Sequence, residues 1–370
     1  MKPLPWSDTL ALAALATGIS EPNPRVGCVV TAPEGRVLGQ GHTQQAGGPH
    51  AEVMALRDAQ ANNHDTRGAT AWVTLEPCCH FGRTPPCTDA LLAAGIATVN
   101  VALLDPNPLV AGQGVAALRA AGVAVNVLPD THEVAIAARE MNIGFLSRMA
   151  RGRPWVRMKI AASLDGKTAL NNGSSQWITS EAARQDGHAW RARASAVLTG
   201  IGTVLEDDPQ LNVRGVTVTR QPTVVVVDSR VETPVNARVF TPDRAVWLYS
   251  AQPEGPRHVA LAARGATLHC LPDAQGKVDL AAMLTDLAQR GVNELHVEAG
   301  HKLNGSLIRA GLVDEFLVYL APSLLGQARD MAQFGPLTAL SEAMALEFTS
   351  VDRVGPDLRI VARPPGRDKF

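Results

Sequence analysis

The stretch LEPCCHFGRTPPC, residues 75–87, holds three of the five cysteines of this chain within ten positions. A second stretch, GGPHAEVMAL at 47–56, places His50 and Glu52 two residues apart at the start of a predicted helix. One imidazole and two thiolates make three protein ligands, which leaves the fourth tetrahedral position of zinc open to water, as in catalytic sites. Together the two stretches predict a hydrolytic zinc site.

The spacing of the cysteines favours two of the three thiols as ligands. The H-x-E and P-C pattern is typical of zinc deaminases that act on nucleobases, where the thiolates usually form a C-x-x-C pair, but this chain has no such pair. Cys78 and Cys87 each follow a proline at a predicted helix start, where exposed N–H groups favour a thiolate. The side chain of Cys79 is expected to point away from the metal, because it directly follows Cys78 in the chain. We therefore predict His50, Cys78 and Cys87 as the ligands of one Zn²⁺ per chain.

Glu52 is the predicted catalytic proton carrier of this site. A water whose pKa is lowered by zinc supplies hydroxide at neutral pH, and an adjacent carboxylate that does not ligate the metal can carry the proton to a leaving amine. The alternatives are buried thiols or a structural zinc site, whose fourth ligand His80 could provide. The order of the HAE, PC and PPC segments favours the catalytic interpretation.

The length and the pattern of segments predict two α/β domains. A chain of 370 residues is long for one core, and helical and strand-like segments alternate in both halves. SRMARGRPWV, residues 147–156, interrupts the pattern with basic residues, a glycine and a proline. We therefore predict one domain over residues 1–147 and a second over residues 148–370.

The charge balance argues against a nucleic-acid or anionic-membrane partner. Lysine and arginine number 34 against 35 acidic residues, which gives a net charge of -1. No apolar stretch reaches the roughly 18 residues that a spanning helix needs. We expect a cytoplasmic protein with free thiols, a small phosphorylated ligand as its partner and assembly into a homo-oligomer.

The cysteine-rich stretch and three other segments resemble a known family. EPCCHFGRTPPC, PNPRVGCVV at 22–30, GHTQQAGGPHAE at 41–52 and DPNP at 105–108 are similar to the deaminase domain of the bifunctional deaminase–reductase of riboflavin biosynthesis. That family has PC(S)HxGRTPPC where ordinary cytidine deaminases have a short C-x-x-C. Cys79 stands where the family usually has serine.

The resemblance implies a cytidine-deaminase-like three-layer domain at the N-terminus. Its implied substrate is 2,5-diamino-6-(5-phosphoribosylamino)pyrimidin-4-one, which loses a ring amine as ammonia. The planar fork of an arginine suits a phosphate, and a side-chain amide suits a base edge; turn chemistry alone would also account for DPNP. The family positions that hold the base or the ribose phosphate correspond here to Asn23, His42, His80, Arg83, Asp105 and Asn107.

The second half resembles the reductase domain of the same family, from Arg153 to near Gly326, beginning with RPWVRMKIAASLDGKTA at 153–169. This implies a dihydrofolate-reductase-like domain that uses NADPH. Family cofactor contacts correspond to Ala161, Trp177, Thr203, Asp207, Gly300, His301, Lys302, Leu303, Asn304, Gly305 and Ser306. Family substrate contacts correspond to Ser175, Arg191, Leu211, Arg214 and Glu298, and both arginines are expected to face the ribose phosphate.

Glycine-rich turns support nucleotide binding independently of the resemblance. VLTGIGTVL at 197–205 lacks the third glycine of the dinucleotide fingerprint, because Leu205 stands there. What remains is a glycine turn after a strand, and HVEAGHKLNGS at 296–306 offers a second one. Ser229 and Arg230 stand where a 2′-phosphate could be bound, which favours NADPH, although Arg230 could equally be a solvated turn residue.

The implied second reaction is hydride transfer to the anomeric carbon of the ribose, which gives a ribityl chain. We predict Lys159 and Glu298 as the residues that polarise this centre and move a proton; the alternative for Lys159 is a strand lysine that faces solvent. Two other functions stay open. The C-terminal half could be a non-redox nucleotide-binding module beside a zinc nucleobase deaminase, or the chain could deaminate nucleic acid, which the low charge disfavours.

Overall fold

A computed structural model describes residues 5–241 and 243–370. The chain divides into two compact units, of which the first ends at Gly152 and the second runs from Arg153 to Lys369. The helix before this division continues to Arg151, and Gly152 ends it with a left-handed φ of 65°. The boundary predicted at residue 147 therefore lies inside that helix.

The first unit contains a five-stranded sheet of order β2-β1-β3-β4-β5. β1 is antiparallel to β2 and β3, whereas β3, β4 and β5 are parallel. Its elements are α1 (Trp6–Leu15), β1 (Gly27–Thr31), β2 (Val37–His42), α2 (Ala51–Ala61), β3 (Thr70–Val73), α3 (Cys87–Ala93), β4 (Thr98–Val101), α4 (Gln113–Ala120), β5 (Ala124–Val127) and α5 (Glu133–Arg151). α1 begins at Trp6 without a side-chain cap.

Two glycines let α2 lie directly against β2. A Cβ at Gly39 would stand 2.2 Å from the carbonyl oxygen of Ala55, and one at Gly41 would stand 2.5 Å from the Ala55 nitrogen. Any side chain there would push the helix away from the strand. Because the helix begins at Ala51, this packing fixes the position of His50, which precedes it, and of Glu52 in its first turn.

The second unit contains a nine-stranded sheet of order β11-β10-β9-β8-β12-β6-β13-β16-β15 and a two-stranded sheet of β14 and β7. The strands from β11 to β13 are parallel, and β16 and β15 continue the sheet antiparallel. Its elements are β6 (Trp155–Ser163), β7 (Lys167–Ala169), α6 (Glu181–Arg193), β8 (Ala196–Gly200), α7 (Ile201–Asp207), β9 (Thr223–Val227), β10 (Val246–Ser250), α8 (Pro256–Ala263), β11 (Ala266–Cys270), α9 (Leu280–Gln289), β12 (Glu294–Val297), α10 (His301–Arg309), β13 (Glu315–Ala321), β14 (Arg329–Asp330), a 3₁₀ helix (Leu340–Glu342), β15 (Glu347–Val354) and β16 (Asp357–Arg363).

A buried network of ion pairs joins three central strands of this sheet, β6, β12 and β13, near their first residues. The Arg157 guanidinium on β6 donates to Glu294 on β12 at 2.8 Å and to Glu315 on β13. Arg193 also donates to Glu294 at 2.8 Å, and Arg363 donates to Glu315 at 2.6 Å. The Arg157 side chain is 1% exposed, so its charge depends on these carboxylates for compensation.

None of the helices in the described ranges combines the length and apolarity that crossing a bilayer requires.

Replacing Arg157 by methionine should destabilise the second unit by about 3 kcal/mol, because two buried carboxylates each lose one of their cations. Urea unfolding followed by tryptophan fluorescence measures the change. Arg230→Met is the matched control, since Arg230 is 75% exposed and pairs with the half-exposed Glu232; its effect should stay within about 0.5 kcal/mol. Equal destabilisation by the two substitutions would contradict the view that the buried ion pairs of Arg157 stabilise the fold more than an exposed pair does.

Candidate active sites

The structure brings the three predicted metal ligands together. His50 Nδ1 lies 3.6 Å from Cys78 Sγ and 3.3 Å from Cys87 Sγ, and the three donor atoms lie within 4.8 Å of one another. Cys87 opens α3, but Cys78 lies in the irregular segment after β3, so the helix start expected there is wrong. One imidazole and two thiols form a donor set that suits zinc, and they leave a fourth position open.

The thiols are poised for metal binding. A hydrogen bond with the Cys87 side chain, and then one with His50, lowers the pKa of Cys78 to about 4. The pKa of Cys87 is raised by its hydrogen bond with Cys78 and by burial. The two sulfurs therefore share one proton, which a dication would displace, because thiolates and not thiols bind metal.

Glu52 is buried beside the three donors and lines a small cavity of 140 Å³ together with His50 and Cys78. Burial, and then the Cys78 thiolate, raise the pKa of Glu52 to about 7. A bound dication would lower this pKa through its charge. The Glu52 carboxyl thus lies where it can exchange a proton with a group bound at the donor cluster.

Most of the deaminase residues expected from the resemblance surround this site. Asn23, His80, Asp105 and Asn107 line the cavity that contains Glu52, and Arg83 lines an adjoining cavity of 230 Å³. Both cavities contain Asn23 and His80. Burial raises the pKa of Asp105 to about 7, so this carboxyl can donate a hydrogen bond when protonated. His42 ends β2 and lines neither cavity.

Two adjoining cavities mark the candidate reductase site. They measure 860 and 640 Å³ and share the lining residues Thr203, Glu206, Gly300, His301 and Arg329. Of the predicted cofactor contacts, the larger cavity contains Thr203, Ser229, Gly300, His301, Lys302, Leu303 and Ser306. The smaller contains Ala161, Trp177, Asp207 and Asn304, together with all the predicted substrate contacts, Ser175, Arg191, Leu211, Arg214 and Glu298.

Gly305 lines neither cavity. A Cβ at this position would stand 1.9 Å from the carbonyl oxygen of Gln333. The glycine therefore allows close packing of α10 against the chain, which is a structural role. The resemblance had placed it among cofactor contacts.

The larger cavity fits a phosphorylated nucleotide. Gly200 and Gly300 precede α7 and α10, and a Cβ at Gly200 would stand 3.2 Å from Leu303 Cδ2, so the glycine keeps this wall open. Lys277 and Lys302 supply positive charge, and backbone N–H groups at the start of α10 can face a phosphate. Arg230, however, pairs with Glu232 at 2.9 Å in this structure.

A charged triad occupies the smaller cavity. Arg191 on α6 holds the Glu298 carboxylate with two hydrogen bonds of 2.7 and 2.8 Å, and Lys159 Nζ lies 3.9 Å from the same carboxylate. Burial alone would raise the pKa of Glu298, but Arg191, His296 and Lys159 hold it well below its usual range. Burial lowers the pKa of Lys159, which Glu298 partly offsets. Glu298 therefore stays ionised while Lys159 loses its proton more readily than an ordinary lysine.

Two family models match the chain. The model described as "Cytidine and deoxycytidylate deaminase zinc-binding region" matches residues 6–103, and the one described as "RibD C-terminal domain" matches residues 154–360. Curated relatives named "Riboflavin biosynthesis protein RibD" include one from Escherichia coli (strain K12), 43% identical over 94% of this chain and 95% of its own. Another, from Aquifex aeolicus (strain VF5), is 39% identical over 95% of each chain. This chain belongs to the RibD family.

Solved structures of RibD proteins support the same assignment. "Acinetobacter baumannii RibD, form 2" has a TM-score of 0.86 at 39% identity, with 97% of each chain covered. A Thermotoga maritima structure, titled a diaminohydroxyphosphoribosylaminopyrimidine deaminase/5-amino-6-(5-phosphoribosylamino)uracil reductase, has a TM-score of 0.85 at 32% identity, with 97% of each covered. The predicted family and fold class are confirmed, and the chain is a bifunctional RibD-type deaminase and reductase with zinc and NADPH as cofactors. The family match to residue 360 extends beyond the expected end near Gly326.

Glu76 is a buried member of the RibD deaminase site that the sequence interpretation missed. Its carboxylate accepts hydrogen bonds of 2.9 Å from the backbone N–H of Gly112 and of Val115, and one of 3.3 Å from that of Asp105. It thereby connects the segment before Cys78 to α4 and to the Asp105 turn. The available signal was an acidic residue alone in the apolar run WVTLEP at 72–77.

Cys87→Ser should release zinc, whereas Cys79→Ser should retain it, because Cys79 Sγ lies outside the donor cluster and faces the Leu109 carbonyl oxygen at 3.8 Å. Metal analysis of the purified variants after dialysis gives the comparison. NADPH oxidation by the C-terminal unit should be unchanged in both variants and so controls for folding. Equal zinc loss in the two variants would contradict the ligand assignment.

Proposed function

We propose that the N-terminal unit converts 2,5-diamino-6-(5-phosphoribosylamino)pyrimidin-4-one to 5-amino-6-(5-phosphoribosylamino)uracil. The observation that carries this proposal is the cluster of His50, Cys78 and Cys87 beside the buried Glu52, which lines one cavity with His50 and Cys78. The Thermotoga maritima protein, 32% identical, is titled with both of these activities. The net reaction adds water at the ring carbon that bears the amine, breaks the C–N bond and releases ammonia.

His50, Cys78 and Cys87 would hold the zinc ion in this reaction. When bound, zinc lowers the pKa of a water and so supplies a nucleophile at neutral pH. Glu52 accepts the proton that this water loses and delivers it to the departing amine nitrogen. Asn23 and Asp105 line the cavity around the base, and Arg83, in the adjoining cavity, is suited to the ribose phosphate.

We propose that the C-terminal unit then reduces the ribosyl group to a ribityl chain with NADPH. Thr203 and residues 300–303 line the cavity that would hold the cofactor, which supplies the hydride. Lys159 donates a proton to the ribose ring oxygen as its bond to the anomeric carbon opens, and the hydride is added to that carbon. Glu298, kept ionised by Arg191, stabilises the positive charge that develops there.

The match of the second half to the RibD C-terminal domain favours this reaction over a non-redox nucleotide-binding module. The homo-oligomer, the cytoplasmic location and the absence of a nucleic-acid partner stay predictions. A phosphorylated pyrimidine as the substrate of both sites is part of the present proposal.

Glu52→Gln should retain zinc and lose deamination by a factor of about 10² to 10⁴, because the amide cannot carry the proton. Ammonia release from the diaminopyrimidinone phosphate and metal content are measured on the same preparation. The variant should still oxidise NADPH when it is given the deaminated intermediate directly. Deamination at the wild-type rate would exclude Glu52 as the proton carrier.

Lys159→Met should lower kcat for reduction by a factor of about 10² or more while the affinity for NADPH stays unchanged. In the wild-type protein kcat should decline as the pH rises through the lysine's lowered pKa, because the proton donor is then lost. That decline therefore falls at a lower pH than an ordinary lysine would give. The loss of nicotinamide absorbance on addition of the intermediate follows the reaction. A pH profile that is the same in Lys159→Met and wild type would contradict the role of Lys159.

A further inference from the structure

The smaller cavity of the second unit has a strong excess of positive charge. Six cationic side chains line it against three carboxylates. The carboxylates are those of Glu206, Asp207 and Glu298. The cations are those of Lys159, Arg184, Arg191, Arg214, Arg238 and Arg329. Such an excess suits a ligand that carries a dianionic phosphate.

The guanidinium of Arg191 already forms hydrogen bonds with other residues of the protein. Its Nε and Nη2 atoms donate to both oxygens of Glu298, and Nη1 donates to the carbonyl oxygen of Asn212. An arginine held in this way orients a carboxylate and has little of its donor fork left for a second anion. Contact of Arg191 with the ribose phosphate therefore stays a prediction, and its guanidinium is directed at Glu298 and Asn212 in this structure.

Two other cations of the cavity are also occupied. Arg184 stacks over the ring of Trp177, with its guanidinium carbon 4.5 Å from the ring centroid, and donates to the Thr179 carbonyl oxygen at 2.8 Å. Arg329 forms an ion pair of 2.7 Å with Glu206. These contacts leave Arg214 and Arg238 as the arginines available to a new anion.

Arg214 and Arg238 face the cavity as like charges. Within the described ranges neither forms an ion pair with a carboxylate, and the Arg214 guanidinium donates only to the side-chain oxygen of Asn212, at 2.6 Å. Burial and the charges of Arg191 and Arg238 lower the pKa of Arg214. Two guanidinium groups that line one cavity and form no ion pair within the described ranges favour the binding of an anion there.

The backbone that carries Arg238 is held firmly at the cavity. The backbone N–H of Arg238 donates to Asp208 Oδ1 at 2.7 Å. The guanidinium of Arg244 donates to the carbonyl oxygen of Val239, at 3.0 Å, and to that of Gln210. Asp208 itself has a left-handed φ of 40°, a conformation that costs a non-glycine residue free energy and is common at binding sites. The contacts that hold this turn also fix the position of Arg238.

We propose that Arg238 is a binding residue for the substrate phosphate of the reductase, acting together with Arg214. This proposal rests on the reductase function proposed above. The Arg238 side chain is exposed toward the cavity, and its backbone contacts do not depend on its guanidinium. Its substitution should therefore leave the fold intact.

The test compares two substrates in NADPH oxidation: the deaminated intermediate and the same compound after enzymatic removal of its phosphate. Arg238→Gln should lower kcat/KM for the phosphorylated compound by about 10- to 100-fold, the size of a lost charge-assisted hydrogen bond. It should leave kcat/KM for the dephosphorylated compound and KM for NADPH unchanged. Arg238→Lys should keep part of the phosphate preference, since it keeps the charge.

The matched control is Arg353→Gln, which removes an exposed arginine of β15 that lines neither cavity. It should react with both compounds as the wild type does. Equal losses on both compounds in Arg238→Gln, no loss on either, or a raised KM for NADPH would each overturn the assignment of Arg238 alone. A wild-type protein that oxidises no NADPH with either compound would instead overturn the reductase function, and this inference with it.

Discussion

The direct contact between α2 and β2 is the constraint on which the deaminase site depends. Without side chains at Gly39 and Gly41 the helix backbone lies against the strand, so its first turn has one possible position. His50 precedes that turn and Glu52 lies in it, and the two thiols come from the segment before α3 and from the first residue of α3. The placement of an imidazole and a carboxylate thus depends on a packing interaction that itself involves no polar side chain.

In the second unit, the candidate catalytic groups depend on electrostatic interactions. The Glu298 carboxylate is buried yet stays charged, because Arg191 compensates it at hydrogen-bond distance. For Lys159, on β6, burial lowers the pKa more than the nearby Glu298 raises it, so this lysine binds its proton less tightly. One cluster therefore contains a permanent anion and a labile proton, the combination that reduction of a ring-opened sugar requires.

Short motifs made the family and the metal cluster predictable, because the chemistry of a zinc ligand is visible in residue type and spacing. Contacts that join distant segments were not predictable. Glu76 binds N–H groups more than 30 residues away, and the arginine that faces Glu298 from α6 is 107 residues from it in sequence. β15 and β16 lie beyond Gly326, where the resemblance to the reductase domain was expected to end, and the exposure of most of β15 leaves no clear apolar pattern there. Resemblance alone assigned His42 and Gly305 to binding; neither lines the four cavities described above, and their binding roles stay predictions.

The two cavities of the second unit share a wall formed by Thr203, Glu206, Gly300, His301 and Arg329. A molecule in either cavity therefore becomes part of the surroundings of the other. Thermodynamic linkage then requires reciprocity: whatever factor the dinucleotide imposes on the affinity for the sugar phosphate, the sugar phosphate imposes on the affinity for the dinucleotide. Affinities measured for either ligand alone thus describe a half-filled site, and the ternary complex is the species whose energetics govern turnover.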